Sequence, residues 1–283
     1  MASPALREVG RSRDRTPLVL AIPAVVATLF LVLPLVSLVV RSPWRDLGSL
    51  LQEAEVGQAL RLSLLTATSA TAVALVLGVP LAWVLARRRL PGHSLLRALV
   101  TLPLVMPPVV GGVALLYAFG RVGLVGRYLD LWFGITIPFT TFAVVMAEAF
   151  VAMPFLIITV EGALRAADQG YDEAAATLGA SRLRTFWTVT LPLVRPSLLA
   201  GTVLCWARAL GEFGATITFA GSFAGSTRTM PIAIYLTMVD DPRAGTALAL
   251  VMLIVSVAVL LLLRERWWYA GDRTSDTASG GSR

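Results

Sequence analysis

The sequence predicts an all-α membrane protein of six transmembrane helices with both termini on the cytoplasmic side. Three observations carry this. First, the 283 residues are 57% hydrophobic and only 14% charged, against about 25% charged in an ordinary soluble domain. An apolar excess of that size has to face lipid, because a soluble core could not hide it. Second, six apolar runs fall at 17–40, 60–85, 96–119, 137–160, 197–220 and 244–263. Crossing ~30 Å of hydrocarbon takes about 20 residues, and within lipid only a helix satisfies its own backbone. No alternating pattern of barrel type is present. Third, the arginines are unevenly placed. They crowd the N-terminal tail (Arg7, Arg11, Arg13, Arg15), the second-to-third connection (Arg87, Arg88, Arg89, Arg97), the fourth-to-fifth connection (Arg165, Arg182, Arg184, Arg195) and the C-terminal tail (Arg264, Arg266, Arg273, Arg283). The richer side faces the cytoplasm.

The elements follow in order. The run 17–40 is too long for a signal-peptide core, and "RSPWRD" after it carries no small-x-small cleavage pattern, so it reads as an uncleaved first helix. The "ARRRLPGHS" stretch before the third run turns at Pro91-Gly92. Pro103, Pro107, Pro108 and Gly111-Gly112 would break the third span, either to line a cavity or as a packing kink. The tail "AGDRTSDTASGGSR" is small, polar and expected to be disordered. The division is therefore an Arg-rich cytoplasmic tail (1–16), a six-helix domain (17–265) with a large loop at 161–196, and a disordered cytoplasmic tail (266–283).

Several chemistries are excluded. All 24 basic residues are Arg, so there is no Lys for a phosphate-loop motif or a Schiff base. Single Cys205 and single His93 rule out an internal disulfide and a histidine-rich metal site. H-E-x-x-H, C-x-x-C and G-x-S-x-G are missing. The +7 net charge is explained by membrane topology, and no nucleic-acid partner is expected. Nucleotide energy, if used, has to come from another polypeptide.

The loop "DEAAATLGASRLRTFWTVTLP" at 172–192 is mixed in polarity between apolar spans. Asp172 and Glu173 suit a helix N-terminus. Ala174, Ala175, Ala176, Thr177 and Leu178 continue the helix, and Gly179 supplies a sharp stop. Leu183, Phe186 and Trp187 recur at i, i+3, i+4, which predicts one apolar face on a second short helix. Pro192 and Pro196 mark the approach to the fifth span. On physics alone, this hairpin could rest on lipid headgroups or dock a soluble partner.

Glu173, Ala174, Ala175, Gly179, Val189, Leu191 and Pro192 resemble the cytoplasmic-loop signature of binding-protein-dependent ABC importer permeases. Val189 stands where that family often has Ile. The resemblance covers about residues 60 to 265. It implies that the loop, with Asp172, docks on a partner ATPase. No cofactor is then expected on this chain, ATP and Mg being held by that ATPase.

The fifth span carries "ARALGEFGATITFAG" at 207–221. Arg208 and Glu212 are four apart and can pair. A charge near mid-span faces a cavity or a partner, although such a pair can also be a neutralised packing contact. Gly211 and Gly214 permit close approach or a bend. Gly-Glu-Phe-Gly-Ala followed by Thr and Phe-Ala-Gly resembles molybdate-type permeases, whereas sulfate and thiosulfate permeases tend to read Gly-Glu-Tyr-Gly-Ser. Phe213 and Ala215 fall on the molybdate side, as do "LPLVMPPVVGGVALLYAFG" and "TRTMPIAIYL". An oxyanion route needs donors, which Thr216, Thr218, Thr227 and Thr229 could supply, and Arg228 could add charge at the outer mouth. Those threonines could equally bond their own i−4 carbonyls.

The resemblance therefore implies a multi-pass subunit of the bacterial plasma membrane, without enzymatic activity of its own. It would pair with a second copy and work with two ATPase subunits and an extracytoplasmic molybdate-binding protein. Its gate would lie around Arg208, Glu212, Phe213, Thr216 and Thr218. Tungstate is an alternative cargo, sulfate or thiosulfate a second, and an ATP-independent channel or secondary transporter is a reading from another class.

Overall fold

The computed structural model describes residues 18–45, 47–87, 91–168 and 170–271. Residues 1–17, with Arg7, Arg11, Arg13 and Arg15, and the end of the polar tail, 272–283, lie outside them, as do Asp46, Arg88, Arg89, Leu90 and Gln169. Every regular element among the described residues is a helix, with no strand among them. They form two units, 1–42 and 43–283.

The first unit holds α1 (Leu18–Arg41). It is apolar on every side, the pattern of a lipid-facing span.

The second unit is built on α3 (Ala54–Arg87) and α7 (Thr141–Ala166), which pack along their lengths. Ala67, Ala70, Ala74, Gly78 and Ala82 form a small-residue stripe on α3, its four alanines fully buried. Small side chains let helix backbones approach closely where lipid supplies no hydrophobic drive. Gly78 shows how closely, since a Cβ there would sit 3.2 Å from Ile157 and Met153. On the other flank of α7 lies α11 (Arg195–Leu210), where a Cβ on Gly201 would meet Leu156 and Thr159 at 3.1 Å. A second core joins α5 (Pro108–Phe119) and α12 (Gly214–Ala220) to the outer half of α7 through Leu115, Ala143, Val144, Ala147, Ala215 and Phe219. Shorter elements complete the unit: α2 (Leu47–Leu51), α4 (His93–Val105), α6 (Gly126–Phe133), α8 (Gly170–Thr177), α9 (Arg182–Thr185), α10 (Leu191–Leu193), α13 (Met230–Asp240) and α14 (Pro242–Gly271).

The six apolar runs are present, but only four become single long helices: α1, α3, α7 and α14. The third run is split into α4 and α5. Met106 and Pro107 are both extended, because a residue before proline is pushed out of the helical region. The fifth run is split into α11 and α12 at Gly211–Phe213. Its inner end is also bent, because the 182–193 segment meets α11 at 76°. Pro192 and Pro196, either side of Val194 at φ −95°, ψ 7°, cause that bend by removing two backbone donors. α7 begins four residues later than the fourth run, at the cap of Thr140, whose hydroxyl accepts from the Ala143 N–H at 3.1 Å. It also runs six residues further, through Glu161 and Arg165.

Candidate functional site

The loop between α7 and α11 folds as a capped hairpin. Asp168 Oδ1 accepts the Gly170 N–H at 2.8 Å and opens α8. Asp172 and Glu173 fall in its first turn, as a helix N-terminus favours. At its other end Gly179 sits at φ +79°. The Gly179 N–H reaches the Ala176 carbonyl and the Ala180 N–H the Ala175 carbonyl, each at 3.0 Å. This pair of bonds is the Schellman closure, whose left-handed residue glycine adopts without a Cβ penalty. Ser181 then caps α9 by accepting the Arg184 N–H at 3.4 Å.

After α9 the chain winds as a π-helical turn, Phe186–Thr190. Along α9 and this turn the three apolar residues predicted to share a face differ in burial, although the rings of Phe186 and Trp187 still meet edge-on at 5.3 Å. Leu183 and Trp187 point outward, 70% and 60% exposed. Phe186 turns inward, edge-on to Trp83 of α3 at 6.3 Å. Leu191 packs against the main core, and Val189 and Pro192 are half-buried. Glu173 and Ala174 are exposed and Ala175 is half-buried. The hairpin therefore seats one side on the protein's own helices and presents Glu173, Ala174, Leu178, Leu183 and Trp187 outward.

Polar ties fix it in place. Arg87, at the end of α3, places Nη2 3.2 Å from Asp172 Oδ2. Thr190 donates to Asp172 Oδ1 at 2.9 Å. A cleft of about 340 Å³ between α3 and the hairpin is lined by Trp83, Arg87, Asp172, Glu173, Arg182 and Phe186. Just inside, Glu161 is buried, with Arg165 Nε at 2.9 Å and Arg97 Nε at 3.6 Å from its Oε1. Arg165 also donates to the Leu85 carbonyl at 3.1 Å, and His93 Nε2 lies 2.8 Å from that same oxygen. Two side chains thus occupy a carbonyl from the end of α3 that the helix cannot satisfy itself.

At the α11–α12 break, Arg208 Nη1 lies 2.6 Å from Glu212 Oε2, and Glu212 is 1% exposed. Glu212 Oε1 accepts the Ala215 N–H at 2.9 Å, capping the first turn of α12. Phe213 stacks obliquely on Tyr235, ring centres 5.2 Å apart. Of the four threonines read as donors, Thr218 gives its hydrogen to the Gly214 carbonyl at 2.8 Å. Thr227 accepts from the Phe223 N–H at 2.9 Å. Thr216 and Thr229 are fully buried. Arg228 pairs with Glu55 at 3.2 Å, so its charge is partnered. Arg208, Glu212, Phe213, Thr216 and Thr218 thus lie together at the α11–α12 break.

These are the features of an integral membrane protein, and comparison with known proteins fits them. Residues 76–267 match the family described as "Binding-protein-dependent transport system inner membrane component". The chain belongs to that family. It is 50% identical over 240 residues to the "Molybdenum transport system permease protein ModB" of Mycobacterium tuberculosis, covering 85% of this chain and 90% of that one. It is 37% identical over 236 residues to the "Sulfate transport system permease protein CysT" of Salmonella typhimurium, covering 82% and 85%. Its fold is shared with a chain of a bacterial ABC transporter that imports alginate, at TM-score 0.68 and 16% identity over 89% of this chain and 94% of that one. The chain is thus a multi-pass permease of the bacterial inner membrane and a transport subunit.

Within this permease, sequence reasoning passed over three buried groups. Glu148 and Glu161 on α7 are each 1% exposed. Glu148 Oε1 accepts from the Thr66 hydroxyl at 2.9 Å, tying α7 to α3. The signal was available, since an ionisable residue inside an apolar run is costly and has to have a partner. Arg87 was counted for orientation only, and nothing in its local sequence announces an ion pair with Asp172, 85 residues away.

Proposed function

We propose that the chain is the membrane permease subunit of an ATP-driven importer of molybdate, seating a partner ATPase on the hairpin 170–193. The observation that carries the coupling reading is the hairpin itself. It is held on one side by Asp172, Phe186 and Leu191, and exposes Glu173, Ala174, Leu183 and Trp187 on the other. A lipid-resting helix would need a continuous apolar face turned outward, whereas the outward side here sets Glu173 and Ala174 among three apolar side chains, Leu178, Leu183 and Trp187. The identity to a molybdate permease supports the cargo, and Phe213 and Ala215 agree with it.

The arginine distribution supports a cytoplasmic hairpin and cytoplasmic termini. A second copy would complete the pathway by two-fold pairing. Two ATPase subunits, carrying ATP and Mg, would bind below, and an extracytoplasmic molybdate-binding protein would deliver the anion. Closure of the ATPases moves the hairpins, and α11 follows because it begins at the end of the hairpin. The break at Gly211–Phe213, where Glu212 holds both Arg208 and the first turn of α12, is the pivot that opens or closes the route, with Thr216 and Thr218 moving with α12.

Vesicles holding the permease, its ATPase and its binding protein test this, with ATP on the ATPase side and labelled oxyanion outside. Molybdate uptake that needs ATP and all three components is expected, with sulfate taken up poorly. Uptake without the ATPase, or a preference for sulfate, would contradict the reading.

A further inference from the structure

The geometry points to a division of labour inside the hairpin. Glu173 faces the partner, while Asp172 is a positioning residue that transmits the hairpin's displacement to α3 through Arg87 and, through Thr190, braces α8 against the hairpin's own exit segment. This rests on the coupling reading above and deepens it.

Adjacent residues on a helix point about 100° apart, and these two separate accordingly. Glu173 is exposed. Asp172 turns inward and uses both carboxylate oxygens, Oδ2 toward Arg87 Nη2 at 3.2 Å and Oδ1 for the Thr190 hydroxyl at 2.9 Å. Arg87 is the last residue of α3, and its side chain is only 9% exposed. The Arg87 contact is an ion pair whose partial removal from water reduces screening, and the Thr190 contact is a hydrogen bond to a carboxylate, the stronger class. Thr190 is 2% exposed and lies one residue before α10, which leads directly into α11. One arm thus ends on α3 and the other on the π-turn that precedes α10.

The rest of the local structure makes Asp172 the mechanical node. Both ends of the hairpin's own backbone are jointed: α7 stops at Ala167, φ −68°, ψ 134°, and the exit bends by 76° at Val194. A push on α8 through jointed backbone would be partly absorbed as bending before it reached α11. A push through the Asp172 carboxylate acts on the end of α3, whose Leu85 carbonyl is itself fixed by Arg165 and His93. Arg87 also keeps Nε and Nη1 buried without partners, so its interaction is concentrated on Asp172.

The test uses the complete complex in vesicles, reading ATPase affinity, ATP hydrolysis and labelled molybdate moved per ATP. Arg87→Gln and Thr190→Val each remove one arm. Expected is ATPase affinity within about twofold of wild type, and molybdate per ATP reduced about fivefold or more, the lower end of ordinary coupling free energies. Arg87→Lys keeps the charge and is expected to restore part of the loss. Arg87→Gln combined with Asp172→Asn is expected to be no worse than either alone. Glu173→Gln is expected to show the opposite pattern, weaker ATPase binding first. If Arg87→Gln inserts poorly, Thr190→Val, which keeps the side chain's shape, carries the same reading. Unchanged molybdate per ATP in both variants, or a loss of transport matched by a loss of ATPase affinity, overturns the division of labour. Failure of the wild-type permease to bind the ATPase at all would sink the coupling reading instead, and is a distinct result.

Discussion

Gly179 offers a test in which the cost comes from backbone alone. Its φ is +79°, and a Cβ added there would meet nothing within 4 Å. Any penalty is therefore conformational rather than steric contact. An L-residue forced into the left-handed region loses roughly 1–2 kcal/mol, while Asn visits it more readily. Gly179→Ala should accordingly open the α8–α9 corner about 5- to 30-fold more often. Gly179→Asn should cost clearly less, and Gly179→Val more, because β-branched residues tolerate positive φ least. Hydrogen exchange at the Gly179 and Ala180 amides, the two donors of the closure, reads this directly in the purified permease. Affinity for the ATPase should fall in the same order. Equal exchange in Gly179, Asn and Ala proteins would show that the corner does not depend on its left-handed residue, and would refute the reasoning.

Three other outcomes follow from the packing. Gly112→Ala places a Cβ 2.6 Å from Thr218 Cβ and 2.8 Å from the Ala215 carbonyl. It should lower stability by about 1–3 kcal/mol as an overpacked contact, whereas Gly162→Ala in α7, with nothing within 4 Å, should be neutral or stabilising by up to about 1 kcal/mol; thermal unfolding in detergent compares them. Arg208→Met strands the buried Glu212 carboxylate and should cost about 3–5 kcal/mol, with Arg208→Met plus Glu212→Met costing less than the single change. Glu161→Leu removes the partner of Arg165 and Arg97, and should raise protease sensitivity of the α3–α4 connection, read by cleavage of intact membranes from the cytoplasmic side.

Much of this molecule was legible because lipid imposes a simple rule on the sequence. Each run of about 20 apolar residues did become helix. The Glu-Ala-Ala stretch, Gly179 and the Leu191-Pro192 exit gave the hairpin, since capping chemistry is local and written in adjacent residues. What hydropathy does not resolve is whether one run makes one helix. Met106-Pro107 and Gly211–Phe213 break their runs without making them less apolar. Nor does period-3.6 reasoning foresee a π-turn: Phe186 stays in ring contact with Trp187, as expected, but also turns its edge to Trp83. The long-range ties were the least legible. Arg87–Asp172, Thr66–Glu148 and Arg228–Glu55 join residues 82 to 173 positions apart, and only the packing of α3 against α7 and its neighbours brings them together.

The central claim is that the hairpin's outward side seats the ATPase. Trp187 is its largest exposed anchor, 60% exposed and edge-on to Phe186 at 5.3 Å, so its loss leaves the Phe186–Trp83 seat in place. The direct measurement is the affinity of the purified ATPase for permease in lipid discs, wild type against Trp187→Ala. A buried aromatic anchor at an interface contributes about 2 kcal/mol or more, so binding should weaken roughly 30-fold, with hydrogen exchange at Gly179 and Ala180 unchanged. Identical affinity in the two proteins would contradict the account.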